Sequence, residues 1–331
     1  MLNKHAHLVD SIFDTNSLEE VPVRNGYGDA LVKMGEKNEN IVVFTADLKG
    51  STRAKKFADR FPDRFFNVGV AEQNMATVAS GMGVSGKIPF ISSYAAFSPG
   101  RNWEQIRTTI SYNDSNVKIA GHHAGVSTGP DGATHQATED IATMRVMANM
   151  SVFVPCDYHQ AQRVTEVAAE IWGPVYMRFA RTKTPVFTTE KTPFKPGKAL
   201  ELWINDSPEV AILTCGPFTT YNSLIAAKEL EEEGIVTTVL NIHTIKPLDK
   251  DKIIETAKKV GAIVTVEEHN VLGGLGGAVA ELTAKHRPVP IEFIGMQDTF
   301  GESGTAEELI DFYGMGVKDI KEAVKKVRDR K

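Results

Sequence analysis

Short β-branched runs alternate with helical patterns along almost the whole of this chain, and prolines break the alternation once. Candidate strands span 41–46, 88–93, 117–120, 151–155 and 175–180, then 210–215, 236–241, 263–267 and 291–294. Between them Trp103, Ile106 and Ile110 mark one helix face, and Val164, Val167, Ala168 and Ile171 another. Strand-length runs separated by helix-length patterns predict parallel sheets covered by helices. Residues 182–208 carry Pro185, Pro193, Pro196 and Pro208 among scattered Thr and Lys, and read as a linker crossing the surface. Thr305 followed three residues later by Glu308 predicts a capped helix start. At 331 residues the chain exceeds the size at which one core keeps growing, so two α/β domains are expected.

Composition excludes several classes. A net charge of −5, with charges spread along the chain, gives no footprint for nucleic acid or an anionic membrane surface. The basic stretch 318–331 is better read as an amphipathic helix, because Val317, Ile320, Val324 and Val327 recur at helical spacing. Cys156 and Cys215 make neither a disulfide framework nor a metal spacing, and are expected to be buried. No stretch approaches the roughly 18 apolar residues of a membrane span, and the N-terminus lacks a signal-peptide core, so a cytoplasmic protein is expected.

Two segments carry the chemistry. Val68-Gly69-Val70-Ala71-Glu72-Gln73-Asn74-Met75 puts a carboxylate where a buried heterocycle would need one. Gly129-Pro130-Asp131-Gly132-Ala133-Thr134-His135-Gln136 pairs an acid with an imidazole, which suits a ligand with several hydroxyls. Glycines 129 and 132 let the backbone turn tightly there. Metal binding by His122, His123 and His135 is not expected, because adjacent strand residues point to opposite faces. Gly81-Met82-Gly83-Val84-Ser85-Gly86-Lys87 is not a phosphate loop, since Ile88 replaces the required Ser/Thr. Gly273-Gly274-Leu275-Gly276-Gly277 fits a tight strand-to-helix turn better than a dinucleotide fingerprint.

Both segments, in this order, resemble the pyrimidine-binding half of transketolase. The resemblance runs from about Val21 to the C-terminus. It implies an N-terminal segment 1–20, a pyrimidine-binding domain 21–184, a linker 185–208 and a transketolase C-terminal-like domain 209–331. It implies thiamin diphosphate, with Glu72 against N1′ of the aminopyrimidine, Phe97 stacking on that ring, Tyr94 as a second wall and Asp47 facing the cofactor. Asp131 would read a donor-sugar hydroxyl and His135 would assist at the reacting carbon. Arg24, Ser51, His123 and Arg181 match the family's phosphate grip, which favours a sugar phosphate substrate.

The chain contains no Gly-Asp-Gly, the family text that holds diphosphate and magnesium. The resemblance therefore implies a C-terminal subunit of a split transketolase, inactive without an N-terminal partner that carries this motif and the magnesium. Self-association and a heteromer with two copies of each subunit are expected. Ketol transfer between sugar phosphates, as in the pentose phosphate pathway, would be the reaction. The beta subunit of a 2-oxo acid dehydrogenase has a similar layout but lacks D-G-x-T-H-Q. A fragment of a 1-deoxyxylulose 5-phosphate synthase, whose motifs overlap these, and a non-catalytic module of the same fold remain alternatives.

Overall fold

The computed structural model describes residues 1–331. Its first sheet has seven strands in the spatial order Thr244–Lys246, Ser151–Phe153, Val175–Phe179, Lys118–His122, Ile88–Tyr94, Ile41–Thr45 and Phe65–Asn67. The last six run parallel, while Thr244–Lys246 is antiparallel and comes from the second half of the chain. A second sheet orders Ile291–Met296, Ile263–Asn270, Val210–Cys215, Thr237–Asn241 and Leu200–Trp203, with only the last antiparallel.

Strand Ile41–Thr45 shows why such runs are apolar throughout. Ile41 and Val43 point to a core shared with Tyr27, Leu31 and Phe57, while Val42 and Phe44 point to the opposite one with Met75, Ala76 and Ala79. A strand covered on both faces has no polar alternation to show. The second of these cores continues through Leu213, Leu240 and Ile263, so apolar packing runs unbroken from one sheet to the other.

All nine predicted strands are present with ends shifted by a few residues, and Thr305 forms its capping box with Glu308. The C-terminal helix Val317–Arg328 buries Ile320, Val324 and Val327. Cys156 and Cys215 are both buried. Gly81 and Gly83 lie in the last turns of helix Glu72–Val84, and the 273–277 segment turns from strand Ile263–Asn270 into helix Leu275–His286. There Glu267 accepts the first N–H groups of that helix, from Leu275 and Gly276 at 2.6 and 2.7 Å.

The proline-rich segment 185–208 departs from a simple surface linker. Its residues Leu200–Trp203 form the edge strand of the second sheet, and Phe187 lies buried in that domain's core. Residues 1–20 pack on the same core through Ala6 and Ile12, and the Tyr221 hydroxyl donates to the Ile12 carbonyl at 3.0 Å. No helix is long and apolar enough to cross a membrane.

Candidate active site

In parallel α/β sheets, sites form beyond the carboxyl ends of the strands. Here that end carries Asp47, Arg53 and His123, all non-glycine residues with positive φ, at 62°, 67° and 53°. Such backbone is uncommon outside glycine and tends to cluster where function holds it. His123 follows the last residue of strand Lys118–His122, and the left-handed turn carries its ring onto Tyr94, with centroids 4.0 Å apart. His122 instead points into the core between Tyr27 and Phe179. The two histidines thus part, though through a left-handed turn after the strand and not through alternation within it.

Glu72 opens helix Glu72–Val84, where the helix dipole favours a negative charge. The residue is 1% exposed. Its Oε2 accepts from Arg101 Nη1 at 2.7 Å, whereas Oε1 is buried with no partner. An unsatisfied buried carboxylate oxygen is costly and marks a place for a donor. Close by in sequence to Arg101, Tyr94 and Phe97 stack with centroids 5.8 Å apart, and His135 meets the Phe97 ring edge-on at 5.3 Å. Arg101, which bonds Glu72, also lies over the Phe97 ring at 4.8 Å, so the two sequence segments are linked through Phe97.

The loop that bears Asp131 and His135 is held from beneath by Gln136. Its side-chain amide donates to the carbonyls of Val126, Gly129 and Glu302, the last from the second domain. Gly129 and Gly132 have φ of 79° and 71°, and a Cβ on Gly132 would stand 2.7 Å from Ser303 Oγ. The positive φ favours glycine at both positions. His135 Nδ1 lies 2.9 Å from the Thr134 hydroxyl, and Asp131 Oδ1 is 3.8 Å from Arg181 Nη2.

Arg24, Ser51, His123 and Arg181, scattered in sequence, converge. Arg24 Nη1 donates to the Ser51 carbonyl at 2.9 Å and also meets His123 Nε2; the contact to Ser51 is through its backbone. Arg181 Nη1 donates to the Thr128 carbonyl at 2.6 Å, and the Thr128 hydroxyl donates to the His123 carbonyl. Burial, then Arg53 and Arg181, lower Arg24 to about 10. Burial, then Arg24 and Arg181, bring His123 down to about 2, so its ring is neutral and can accept from Arg24. The result is a concentrated positive cluster. Asp47 lies apart from this group: it is exposed, and its carboxylate accepts from Asn67 at 3.0 Å.

Sequence reasoning missed Arg53, whose charge acts on Arg24 and His123 and whose Nε donates to Asn25 at 2.7 Å. It also missed Arg101. Arg101 stands four residues after Phe97, but nothing in that spacing announces a partner 29 residues upstream.

A parallel-sheet domain with a half-satisfied buried carboxylate beside an aromatic cluster, followed by a smaller α/β domain, defines the class: the pyrimidine side of the thiamin-diphosphate fold. Residues 19–186 match the family model of the transketolase pyrimidine binding domain, and residues 197–320 match that of the transketolase C-terminal domain. The chain belongs to the transketolase family. It is 44% identical over 301 residues to a putative transketolase C-terminal section of Methanocaldococcus jannaschii, covering 90% of this chain and 93% of that one. It is 38% identical to the 6-deoxy-6-sulfo-D-fructose transketolase subunit SqwH of a Clostridium species, covering 95% and 97%. A solved structure described as a split gene transketolase, inactive beta4 tetramer, superposes with a TM-score of 0.86 at 45% identity, covering 93% of this chain and 99% of that one. Against the transketolase of Rattus norvegicus the chain is 33% identical but spans only 49% of its length.

Proposed function

We propose that this chain is one subunit of a thiamin-diphosphate-dependent transketolase that moves a two-carbon ketol unit from a ketose phosphate to an aldose phosphate. The observation that carries the reading is Glu72 Oε1, buried without a partner, on a carboxylate that Arg101 links to the Phe97 ring. The residues present fit the pyrimidine end of the cofactor: Glu72 would hold a proton at N1′, and Phe97 and Tyr94 would enclose the ring. Thiamin diphosphate, when bound, supplies the nucleophilic carbon and electron sink for ketol transfer. His135 would exchange a proton with the sugar beside the reacting carbon, and Asp131 would accept from a sugar hydroxyl. Arg24, Ser51, His123 and Arg181 would grip a tetrahedral anion at the far end of the sugar.

Relatives support an anionic sugar. One is described as a 6-deoxy-6-sulfo-D-fructose transketolase subunit, and another, 35% identical, as a subunit of an apulose-4-phosphate transketolase. Sulfonate and phosphate are both tetrahedral anions that suit arginine forks. Both of these relatives are subunits, and the superposed structure comes from a split gene, in keeping with a separate partner that carries the Gly-Asp-Gly text and magnesium. Asp47, on the open carboxyl end of its strand, would face that partner's side of the cofactor.

The test is reconstitution. The purified chain should bind thiamin diphosphate weakly, without response to magnesium, and show no ketol transfer. Adding a transketolase-family chain that carries the diphosphate motif should restore both, because the site would close only between them. Magnesium-dependent transketolase activity from this chain alone would overturn the reading.

A further inference from the structure

We infer that Arg101 is a positioning residue that commits one oxygen of Glu72 and leaves the other for the pyrimidine. The inference rests on the reading of Glu72 given above. Arg101 Nη1 donates to Oε2 at 2.7 Å, while Oε1 is buried and has no partner. The carboxylate is thus divided: one oxygen is taken from within the chain, and the other is buried with its hydrogen-bonding capacity unused.

The arginine is itself well fixed. Its guanidinium carbon lies 4.8 Å from the centroid of the Phe97 ring, and its backbone N–H donates to the Phe97 carbonyl at 2.9 Å. The next residue, Asn102, is fully buried and donates through Nδ2 to the Glu72 carbonyl at 3.0 Å and to Ser98 Oγ at 3.1 Å. One short turn therefore ties the aromatic wall, the cation and the start of the carboxylate's helix into a single unit. A planar guanidinium can stack on a ring and bond a carboxylate in the same pose, which an ammonium cannot. The pair also offsets the cost of sealing a negative charge beneath the surface, since Arg101 itself remains 48% exposed. Rotation of the Glu72 carboxylate would break this bond, so the geometry holds Oε1 where a protonated N1′ would meet it.

The experiment uses the complex with the partner subunit and compares wild type, Arg101→Met, Arg101→Lys and Glu72→Ala. Thiamin diphosphate affinity is read by calorimetry, and cofactor activation by the rate at which its C2 proton exchanges with deuterium, with no sugar present. Arg101→Met should weaken binding about tenfold, the scale of a hydrogen bond to a charged group, and slow exchange by at least as much. Arg101→Lys should recover part of the loss, because it keeps the charge without the stacked plane. Exchange at the wild-type rate in Arg101→Met would overturn the inference. So would tighter cofactor binding, which would mean that the guanidinium occupies the pyrimidine's own place. If Glu72→Ala also exchanges normally, the reading of Glu72 falls as well; if only the Arg101 variants behave as wild type, the positioning role alone is lost. Melting temperatures identify a variant that has not folded, and Arg101→Lys then decides the question by the same two measurements.

Discussion

Asp140 Oδ2 accepts from Arg178 Nε at 2.9 Å inside the protein, with the side chains only 1% and 3% exposed, and the same oxygen accepts from the Tyr176 hydroxyl at 2.6 Å. Arg178 reaches on through Nη2 to the carbonyls of Glu268 and Ala137. Glu268 belongs to the second sheet, and its Oε1 accepts from the Ser127 amide at the start of the loop that carries Asp131 and His135. One buried pair thus joins the two domains beneath that loop. Breaking a buried pair leaves an uncompensated charge, so Arg178→Met should cost about 3–5 kcal/mol in urea unfolding. Asp140→Leu combined with Arg178→Met should recover part of that loss, because neither member of the pair is then left buried without the other. Simple addition of the two single losses would show that the residues act independently.

Three buried histidines should make the fold sensitive to mild acid. Burial holds His122 well below its usual value of 6.5, and its ring nitrogens have no partner between Tyr27 and Phe179. Burial and the neighbouring arginines put His123 at about 2; burial, opposed by Asp249, puts His243 at about 3. In each case the unfolded chain binds a proton that the folded chain refuses. Stability is therefore complete above about pH 6.5 and falls as pH drops toward the folded values, by about 1.4 kcal/mol per pH unit for each histidine. Urea midpoints at pH 7.5 and 5.5 should differ clearly, and His122→Phe should flatten the dependence by about one histidine's share. An unchanged slope in that variant would show that His122 is protonated in the fold.

What was legible in the sequence follows physical scale. Strands such as Val210–Cys215 announce themselves because burial on both faces demands an apolar run. Phe65–Asn67, Thr244–Lys246 and Leu200–Trp203 have three or four residues each, too few to repeat a two-residue period convincingly. Glu72 and the Asp131–His135 loop were readable because each lies within a few residues of continuous text. Arg24, at the start of a helix, meets His123 and Arg181, which follow strand ends, only through the way the chain folds around one sheet, which resemblance could suggest and spacing could not. Arg101 lay beyond reach for a related reason: a turn after Phe97, whose shape no periodicity encodes, carries it onto Glu72, 29 residues upstream.

The division of labour around the proposed sugar can be tested by removing one recognition element at a time. Asp131 and His135 sit on the loop anchored by Gln136, whereas Arg181 joins the positive cluster with Arg24 and His123. With the partner subunit present, Asp131→Ala and His135→Ala should impair transfer from phosphorylated and free ketoses alike. Arg181→Ala should mainly raise KM for phosphorylated sugars. A charge-assisted hydrogen bond contributes about 1.5–3 kcal/mol, so that rise should be roughly tenfold or more. Arg181 also donates to the Thr128 carbonyl and approaches Asp131, so its loss could instead loosen the loop. The two effects separate cleanly: a loosened loop would depress kcat for free and phosphorylated sugars together, whereas a lost anion contact would leave free sugars unchanged. Equal losses on both would place Arg181 in support of the loop and remove it from the phosphate grip.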